Sequence, residues 1–476
     1  MEKKSIASNY IYNLIYQIIL AVIPLVTTPY LTRVLGAENL GIYSYTYSIA
    51  TIFFLLSALG INTYGQREIA YVQDSPEKYS KVFWELVIVR CGATVISATA
   101  LIALSLIVNE YTVCFQILAI YNIANAFDIT WFYQGIENFK AITVRNIIIK
   151  IIYLGLVFLF VKDRSDLHTY ILLFSAMTLA TNLSFWIKTR KILTKPKNLE
   201  VKKHIKPVVV LFLPQIASLI YTVLDKTMLG IICPQIEQVS FYEQASYIVK
   251  TILMLVTTIG TVMVSKVSYA FQKQNMEEVK NYLNQVTNFV WLASSALMFG
   301  VAAAIENFVK WFYAEEYISV ANIVYVMCPI IIFIGLNNII GIQFLVPTKN
   351  QNKYIFAVVI GAVAYFVMNL ILFKPFGPIG ATIASVMAEL GIVVVELAFL
   401  KKIIPDYKIA KNAFKYLALG FVMFGVVKVS GNFYAGTVYS TAIQVVAGVI
   451  TYGVLLIVTK DKFVMGFLTK FWRKEK

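Results

Sequence analysis

The sequence predicts an all-α integral membrane protein of about 14 transmembrane helices, built as two six-helix lobes related by a pseudo-two-fold axis along the membrane normal, plus a C-terminal helix pair. Three observations carry this. Apolar stretches of bilayer-spanning length follow one another from Asn9 to Thr459; Lys and Arg fall mostly in alternate gaps between them; and a short motif recurs six spans later. A helix rises 1.5 Å per residue, so roughly 20 apolar residues cross the hydrocarbon core. With 59% hydrophobic and 14% charged residues, the composition is that of a chain whose solvent is lipid.

In chain order, the spacing predicts spans at 9–34, 41–62, 83–108, 112–135, 143–161 and 167–189, which make an N-terminal lobe of residues 1–190. Residues 191–206 form a basic linker. A C-terminal lobe of residues 207–403 then holds spans at 207–229, 239–268, 285–305, 319–346, 354–374 and 377–403. Residues 404–476 supply the last two spans, at 410–428 and 437–459, and a basic tail. Lys3 and Lys4 share a side with Arg67, Lys78, Lys81, Lys140, Arg145, Lys273, Lys280, Lys349, Lys353, Lys401, Lys402, Lys408 and Lys411, and with the stretches Lys188–Lys206 and Lys460–Lys476. The opposite loops are short and carry few cations, chiefly Lys162, Arg164, Lys310, Lys374 and Lys428. The positive-inside rule therefore places both termini in the cytoplasm, which requires an even number of spans.

The net charge of +16 invites a nucleic-acid reading. Topology explains it instead: about thirty of the cations lie on the inferred cytoplasmic side, where they fix orientation and meet anionic lipid headgroups. No soluble stretch exceeds roughly 20 residues, so no nucleic-acid partner is expected. Cys91, Cys114, Cys233 and Cys328 stand singly and read as packing residues. His168 and His204 lie at opposite faces, so no metal constellation is expected. The first apolar run is too long for a cleavable signal peptide.

The repeat sets Thr32-Arg33-Val34-Leu35-Gly36 over Lys226-Thr227-Met228-Leu229-Gly230, and Asn39-Leu40-Gly41-Ile42-Tyr43 over Gln238-Val239-Ser240-Phe241-Tyr242. Six spans separate the copies, so both have one orientation, which sets the axis along the membrane normal.

Several motifs give the chain a family resemblance. They are Pro29-x-x-Thr32-Arg33-x-x-Gly36 followed by Gly41; Arg67-Glu68-Ile69-Ala70, with Arg90 in the next span; Trp131-x-x-x-Gly135-x-Glu137; Asp225-Lys226 before Leu229-Gly230; Gln343-x-x-x-Pro347; and Phe376-Gly377-Pro378-Ile379-Gly380-Ala381-Thr382. In their order and spacing they resemble the polysaccharide repeat-unit flippases (Wzx type) of the multidrug/oligosaccharidyl-lipid/polysaccharide exporter superfamily, over the first twelve spans. The resemblance implies two lobes around a central cavity, alternating access, and an undecaprenyl-diphosphate-linked oligosaccharide as cargo for capsule, exopolysaccharide or O-antigen synthesis. It also implies a place in the bacterial cytoplasmic membrane, polysaccharide polymerase and chain-length machinery as partners, and no cofactor.

Charge deep in lipid is costly, so it marks candidate sites. Asn122, Asn125 and Asp128 recur every three residues, a stripe down one helix face that either lines a cavity or hydrogen-bonds a neighbouring helix. Lys250, at mid-depth of its span, should meet water or a carboxylate. Arg90 has the planar fork to hold a diphosphate, or else pairs with Glu85, Asp128 or another acid. Arg33 and Lys226, beside Asp225, either snorkel to the outer headgroups or receive the diphosphate there. Arg67, next to Glu68, stands at the cytoplasmic mouth as a diphosphate ligand or an ordinary interfacial pair. Glu389 and Glu396, two turns apart, are candidates for proton or sodium coupling or for packing against Lys250, with Gln343 a further polar cavity residue. Tyr10, Tyr12, Tyr16, Tyr43, Tyr45 and Tyr47 read first as interfacial anchors and second as sugar platforms.

Three functions compete. A flippase accounts for the repeat, the short loops and the buried cations. A cation-coupled multidrug exporter shares the architecture, but a cationic cargo would want a carboxylate-rich cavity. A membrane polymerase or glycosyltransferase would present a long external loop or paired external acids, and Glu315-Glu316 alone resembles such a pair.

Overall fold

The computed structural model describes residues 23–194, 198–257 and 260–466. Among them the ordered elements are helices, without a strand. Tyr10, Tyr12 and Tyr16 lie outside the described residues. The chain is an all-α, multi-pass membrane protein. Nine helices of the described residues are long and apolar enough to cross a bilayer, ten with a bent pair counted as one span. Its surface carries large apolar side chains such as Val95, Ile96, Ile107, Ile151 and Phe421 in the open, as a lipid-facing surface requires.

The helices form two compact units that divide after Ser240. The first contains α1 (23–34), α2 (Gly36–Ala58), α3 (Ile61–Tyr71), α4 (Pro76–Val108), α5 (Thr112–Ala124), α6 (Thr130–Gly135), α7 (Phe139–Phe160), α8 (Leu167–Thr189) and α9 (Lys202–Ile232). Helix α9, expected to open the second lobe, packs within the first unit along α2. Small residues permit this closeness: the Gly230 position lies against the Tyr45 ring, and Ser48 Oγ and Thr227 Oγ1 are 2.8 Å apart. The two copies of the sequence repeat differ locally. Gly36, at φ 77°, turns α1 into α2, whereas Gly230 stays inside α9. One end of the unit is an aromatic core of Phe83, Trp131, Phe132, Tyr133 and Phe185, joining α4, α6 and α8. Phe83 and Trp131 stack at 5.6 Å, and Tyr133 and Phe185 at 4.3 Å.

The last turn of the linker is held by the same unit. Glu85 of α4 is fully buried and accepts from His204 Nε2 at 2.7 Å, the Glu200 backbone N–H at 2.7 Å and Lys203 Nζ at 3.3 Å. His204 Nδ1 lies 2.8 Å from the Tyr64 hydroxyl of α3.

The second unit contains α10 (Glu237–Thr257), α11 (Gly260–Gln272), α12 (Met276–Phe312), α13 (Ser319–Met327), α14 (Ile330–Asn337), α15 (Gln351–Ile403), α16 (Ala413–Ser430) and α17 (Val438–Val458), α10 starting just before the division. The single span expected at 319–346 is instead broken by 46° between α13 and α14, at Pro329. It continues as a π-helical turn, Asn338–Leu345. Helix α15 runs 53 residues, which straight would reach roughly 80 Å against a core of about 30 Å. It does not run straight. Gly377 takes φ 52°, ψ −130° between Pro375 and Pro378, and Gly380 comes back against the Leu372 carbonyl. The two arms match the spans expected at 354–374 and 377–403. Helices α12, α16 and α17 pack together at the end of the chain.

Candidate functional site

The polar stripe expected on one helix face is not continuous. Helix α5 stops at Ala124, Asn125–Phe127 is a 3-10 turn, and Asp128 is extended at φ −73°, ψ 107°. The physical reason is side-chain competition for backbone groups. The Asp128 carboxylate accepts the Thr130 N–H at 2.9 Å, and its freed carbonyl accepts from Trp131 Nε1 at 3.2 Å. Arg90, fully buried, fills the break. Its Nη1 donates to Asn62 Oδ1 at 3.1 Å and the Asp128 carbonyl at 2.9 Å; its Nη2 donates to Asn125 Oδ1 at 2.6 Å and Asp128 Oδ2 at 3.2 Å. Asn125 in turn donates to Ser57 Oγ and the Phe54 carbonyl of α2, and Asn122 donates to Ser97 Oγ at 3.1 Å. Sequence-predicted Arg90, Asn125 and Asp128 thus meet in one network that ties α2, α4 and the end of α5 together, while Asn122 ties α5 to α4 separately through Ser97.

The other predicted cations are spread out. Arg33 is exposed and donates to the Pro29 carbonyl at 2.8 Å. Arg67 is exposed, pairs with Glu68 at 3.0 Å and lies 5.3 Å from the Tyr64 ring centroid, an arrangement worth under about 1 kcal/mol. Asp225 is buried and Lys226 half-buried, its ammonium 5.9 Å from the Tyr47 ring. Lys250 is exposed on α10, in the second unit.

Sequence reasoning passed over Lys150. It lies mid-way along α7 with Asn146 one turn before and Tyr153 one turn after, so all three share a face. With Thr178 and Thr181 of α8 they set polar groups into the wall of a cavity of about 220 Å³, whose lining Ile149, Phe174 and Met177 complete. Phe174, on the same wall, joins an aromatic cluster. Tyr43 and Tyr47 stack at 5.4 Å, Tyr121 and Phe54 stack at 4.6 Å, and Phe174 lies 5.3 Å from both Tyr47 and Tyr121. The signal was present in the sequence: a lysine inside an apolar span, the rule that singled out Lys250.

In the second unit, Glu389 and Glu396 project from the second arm of α15 toward α14 and the π-helical turn. Asn337 Nδ2 donates to Glu389 Oε2 at 3.2 Å. Glu396 is fully buried, and among the described residues neither of its oxygens has a hydrogen-bond partner. Gln343, from the π-helical turn, donates to Asn338 Oδ1 at 2.7 Å, and its own carbonyl oxygen has no hydrogen-bond partner among the described residues. A buried carboxyl without a partner needs a proton or a cation to remain there.

The sequence model of a family described as Polysaccharide biosynthesis protein matches residues 6–264. Two curated relatives, each described as "Putative O-antigen transporter", are similar over shorter stretches. The protein of Escherichia coli (strain K12) is 30% identical over 169 residues, 35% of this chain and 41% of that one; the protein of Shigella dysenteriae is 29% identical over 150 residues, 30% of this chain and 37% of that one. The matches thus span less than half the length of either relative. Among solved structures, the lipid II flippase MurJ in its inward closed conformation superposes with a TM-score of 0.70 at 18% identity, over 95% of this chain and 99% of that one. An inward-facing multidrug resistance MATE transporter of the MOP superfamily gives 0.56 at 12% identity, over 78% and 91%. These two likenesses establish a shared fold.

Proposed function

Since the chain belongs to the polysaccharide biosynthesis protein family, we propose that it is a flippase for a lipid-linked oligosaccharide. Its cargo would be an undecaprenyl-diphosphate-linked repeat unit, moved between leaflets of the bacterial cytoplasmic membrane by alternating access, for capsule, exopolysaccharide or O-antigen synthesis. The observation that carries the reading is the polar face Asn146, Lys150 and Tyr153 of α7, opposed by Thr178 and Thr181 and flanked by stacked aromatics.

Sugars and diphosphate crossing lipid unaided would strand unpaired polar groups. Amide, hydroxyl and ammonium groups within a span offer those partners, aromatic faces accept the apolar faces of sugar rings, and Lys150 supplies a cation for the diphosphate. Lys226, over Tyr47, is a second such cation. Arg90 holds the scaffold on which the aromatic wall stands, because its four bonds are made within the protein. Glu396, with Glu389, is the proposed coupling group, taking up a proton or sodium ion. Both termini are proposed to lie in the cytoplasm, as the distribution of cations indicates.

The MATE likeness keeps a multidrug exporter as the second reading, supported by the buried acids of the second unit. The test is translocation of a fluorescent undecaprenyl-diphosphate oligosaccharide in proteoliposomes, scored by an external glycosidase, with and without a proton or sodium gradient. Protein-dependent exposure of the sugar is the expected result. No exposure of a native repeat unit, together with gradient-driven efflux of an organic cation, would replace this reading with the exporter.

A further inference from the structure

Helices α12, α16 and α17 enclose a second basic site that plays no part in the proposed cargo path. At the end where α16 begins and α17 finishes, a polar cavity of about 590 Å³ opens. At roughly 30 Å³ per water it has room for about twenty waters, enough for a hydrated headgroup. Its lining includes Lys408, Lys411, Lys415, Lys460 and Lys462, and Asp461 is the acid among the lining residues. That acid is already engaged. Asp461 accepts from Lys415 Nζ at 2.5 Å, Tyr416 Oη at 3.3 Å and the backbone N–H groups of Phe463 and Val464 at 3.1 Å each. The other four lysines are exposed and form no ion pair among the described residues, so the cavity holds an uncompensated positive charge. The loop that brings Lys408 and Lys411 there is fixed to α12: Trp291 Nε1 donates to the Ile409 carbonyl at 2.9 Å, and the Thr287 and Tyr407 hydroxyls are 2.8 Å apart.

A second observation identifies what kind of anion fits. The same three helices form an apolar groove of about 420 Å³, lined by Ala296, Gly300, Met423, Gly448, Val449 and Gly453 among others. From Asn288 in the basic cavity to Ala296 in the groove is eight residues of α12, or about 12 Å of rise. The groove extends a further ~12 Å to Ala304, close to the roughly 15 Å of one leaflet's hydrocarbon. Phe414, beside the cavity, is 85% exposed, as a side chain at the level of lipid would be. We infer that the α12/α16/α17 face is a binding site for an anionic phospholipid, its phosphate among Lys408, Lys411, Lys460 and Lys462 and one acyl chain in the groove between Gly300 and Gly453.

The test uses the full chain in detergent, titrated with dioleoyl-phosphatidylglycerol and read by native mass spectrometry. Comparison ligands are dioleoyl-phosphatidylcholine, sodium pyrophosphate and farnesyl diphosphate. Phosphatidylglycerol is expected to bind more tightly than all three. At about 1 kcal/mol per basic residue, each Lys→Gln change among the four should weaken it about fivefold. Lys→Arg at the same four positions should keep the affinity, which separates charge from folding. Gly453→Leu, where no atom lies within 4 Å of an added Cβ, should occupy the groove and weaken binding without disturbing the fold. Lys401→Gln with Lys402→Gln, exposed cations outside the cavity, should change nothing. Equal binding of phosphatidylcholine, equal binding of pyrophosphate, preference for farnesyl diphosphate, or undiminished affinity in the four-fold Gln variant would each overturn the assignment.

Discussion

The Oε1 oxygen of Glu396 lies 2.5 Å from where a Cβ on Gly341 would stand, so the π-helical turn and the second arm of α15 meet at a carboxyl group with no hydrogen-bond partner among the described residues. A side chain at 341 would also strike the Tyr354 ring. Gly341→Ala is therefore expected to lower stability by about 1–3 kcal/mol through overpacking, seen as a lower thermal midpoint. Glu396→Gln should do the opposite, keeping or raising that midpoint because a neutral amide needs no counter-charge, while abolishing the response of transport to an ion gradient. A flux that keeps its gradient dependence in Glu396→Gln would remove this carboxyl from coupling.

Arg90 is expected to be needed for folding. Arg90→Ala takes the paired cation from the half-buried Asp128 and the Arg90 donor from the buried Asn125, a loss of about 3–5 kcal/mol, and should sharply reduce the yield of monodisperse protein. Arg90→Lys should not rescue it, since an ammonium cannot reach four acceptors in fork geometry. Well-folded but transport-dead Arg90→Ala protein would return the residue to the diphosphate role.

Lys150→Ala is expected to behave in the contrary way, with normal yield and melting but translocation reduced tenfold or more, about 1.4 kcal/mol in the step that moves the diphosphate. Lys150→Arg should recover part of the rate. Equal flux in Lys150→Ala proteoliposomes would show that the α7 face does not meet the cargo.

The Asp461 ion pair gives a pH signature. Burial raises the carboxyl's pKa, but the bonds from Lys415, the Val464 N–H and Tyr416 outweigh it and hold it below the ordinary value of 3.8. A carboxyl with a depressed folded-state pKa contributes stability above the unfolded value and loses it as pH falls through the folded one. The melting temperature should thus lose this contribution only below about pH 4. Asp461→Asn should lower the plateau at neutral pH and flatten the acid limb. An unchanged acid limb would mean that other groups dominate it.

Helical membrane architecture was legible because apolar length and cation placement are properties of the chain alone. The fold at Gly377 was legible for the same reason: a Pro-x-Gly-Pro sequence cannot continue a helix. The break at Asp128 was not, because periodicity sees Asn122, Asn125 and Asp128 as evenly spaced and is blind to a carboxylate that prefers its own backbone N–H two residues on. Arg90 was found as a buried charge, yet choosing among its partners required tertiary distances. Lys150 was legible in principle, and only its pairing with Thr178 and Thr181 across two helices gives it meaning. Helix α9 was assigned by repeat counting, which carries no information about its packing along α2.

Glu85, His204 and Tyr64 have a consequence for how the chain can be taken apart. These contacts fasten the start of α9 to α3 and α4 by non-covalent bonds, and α9 lies along α2 for much of its length. The peptide bonds between Thr194 and Asn198 therefore connect two segments that already recognise each other. Fragments 1–196 and 197–476, made as separate polypeptides in one cell, should find each other and copurify. That would make the linker a convenience of synthesis, with the helix-to-helix seam as the true joint.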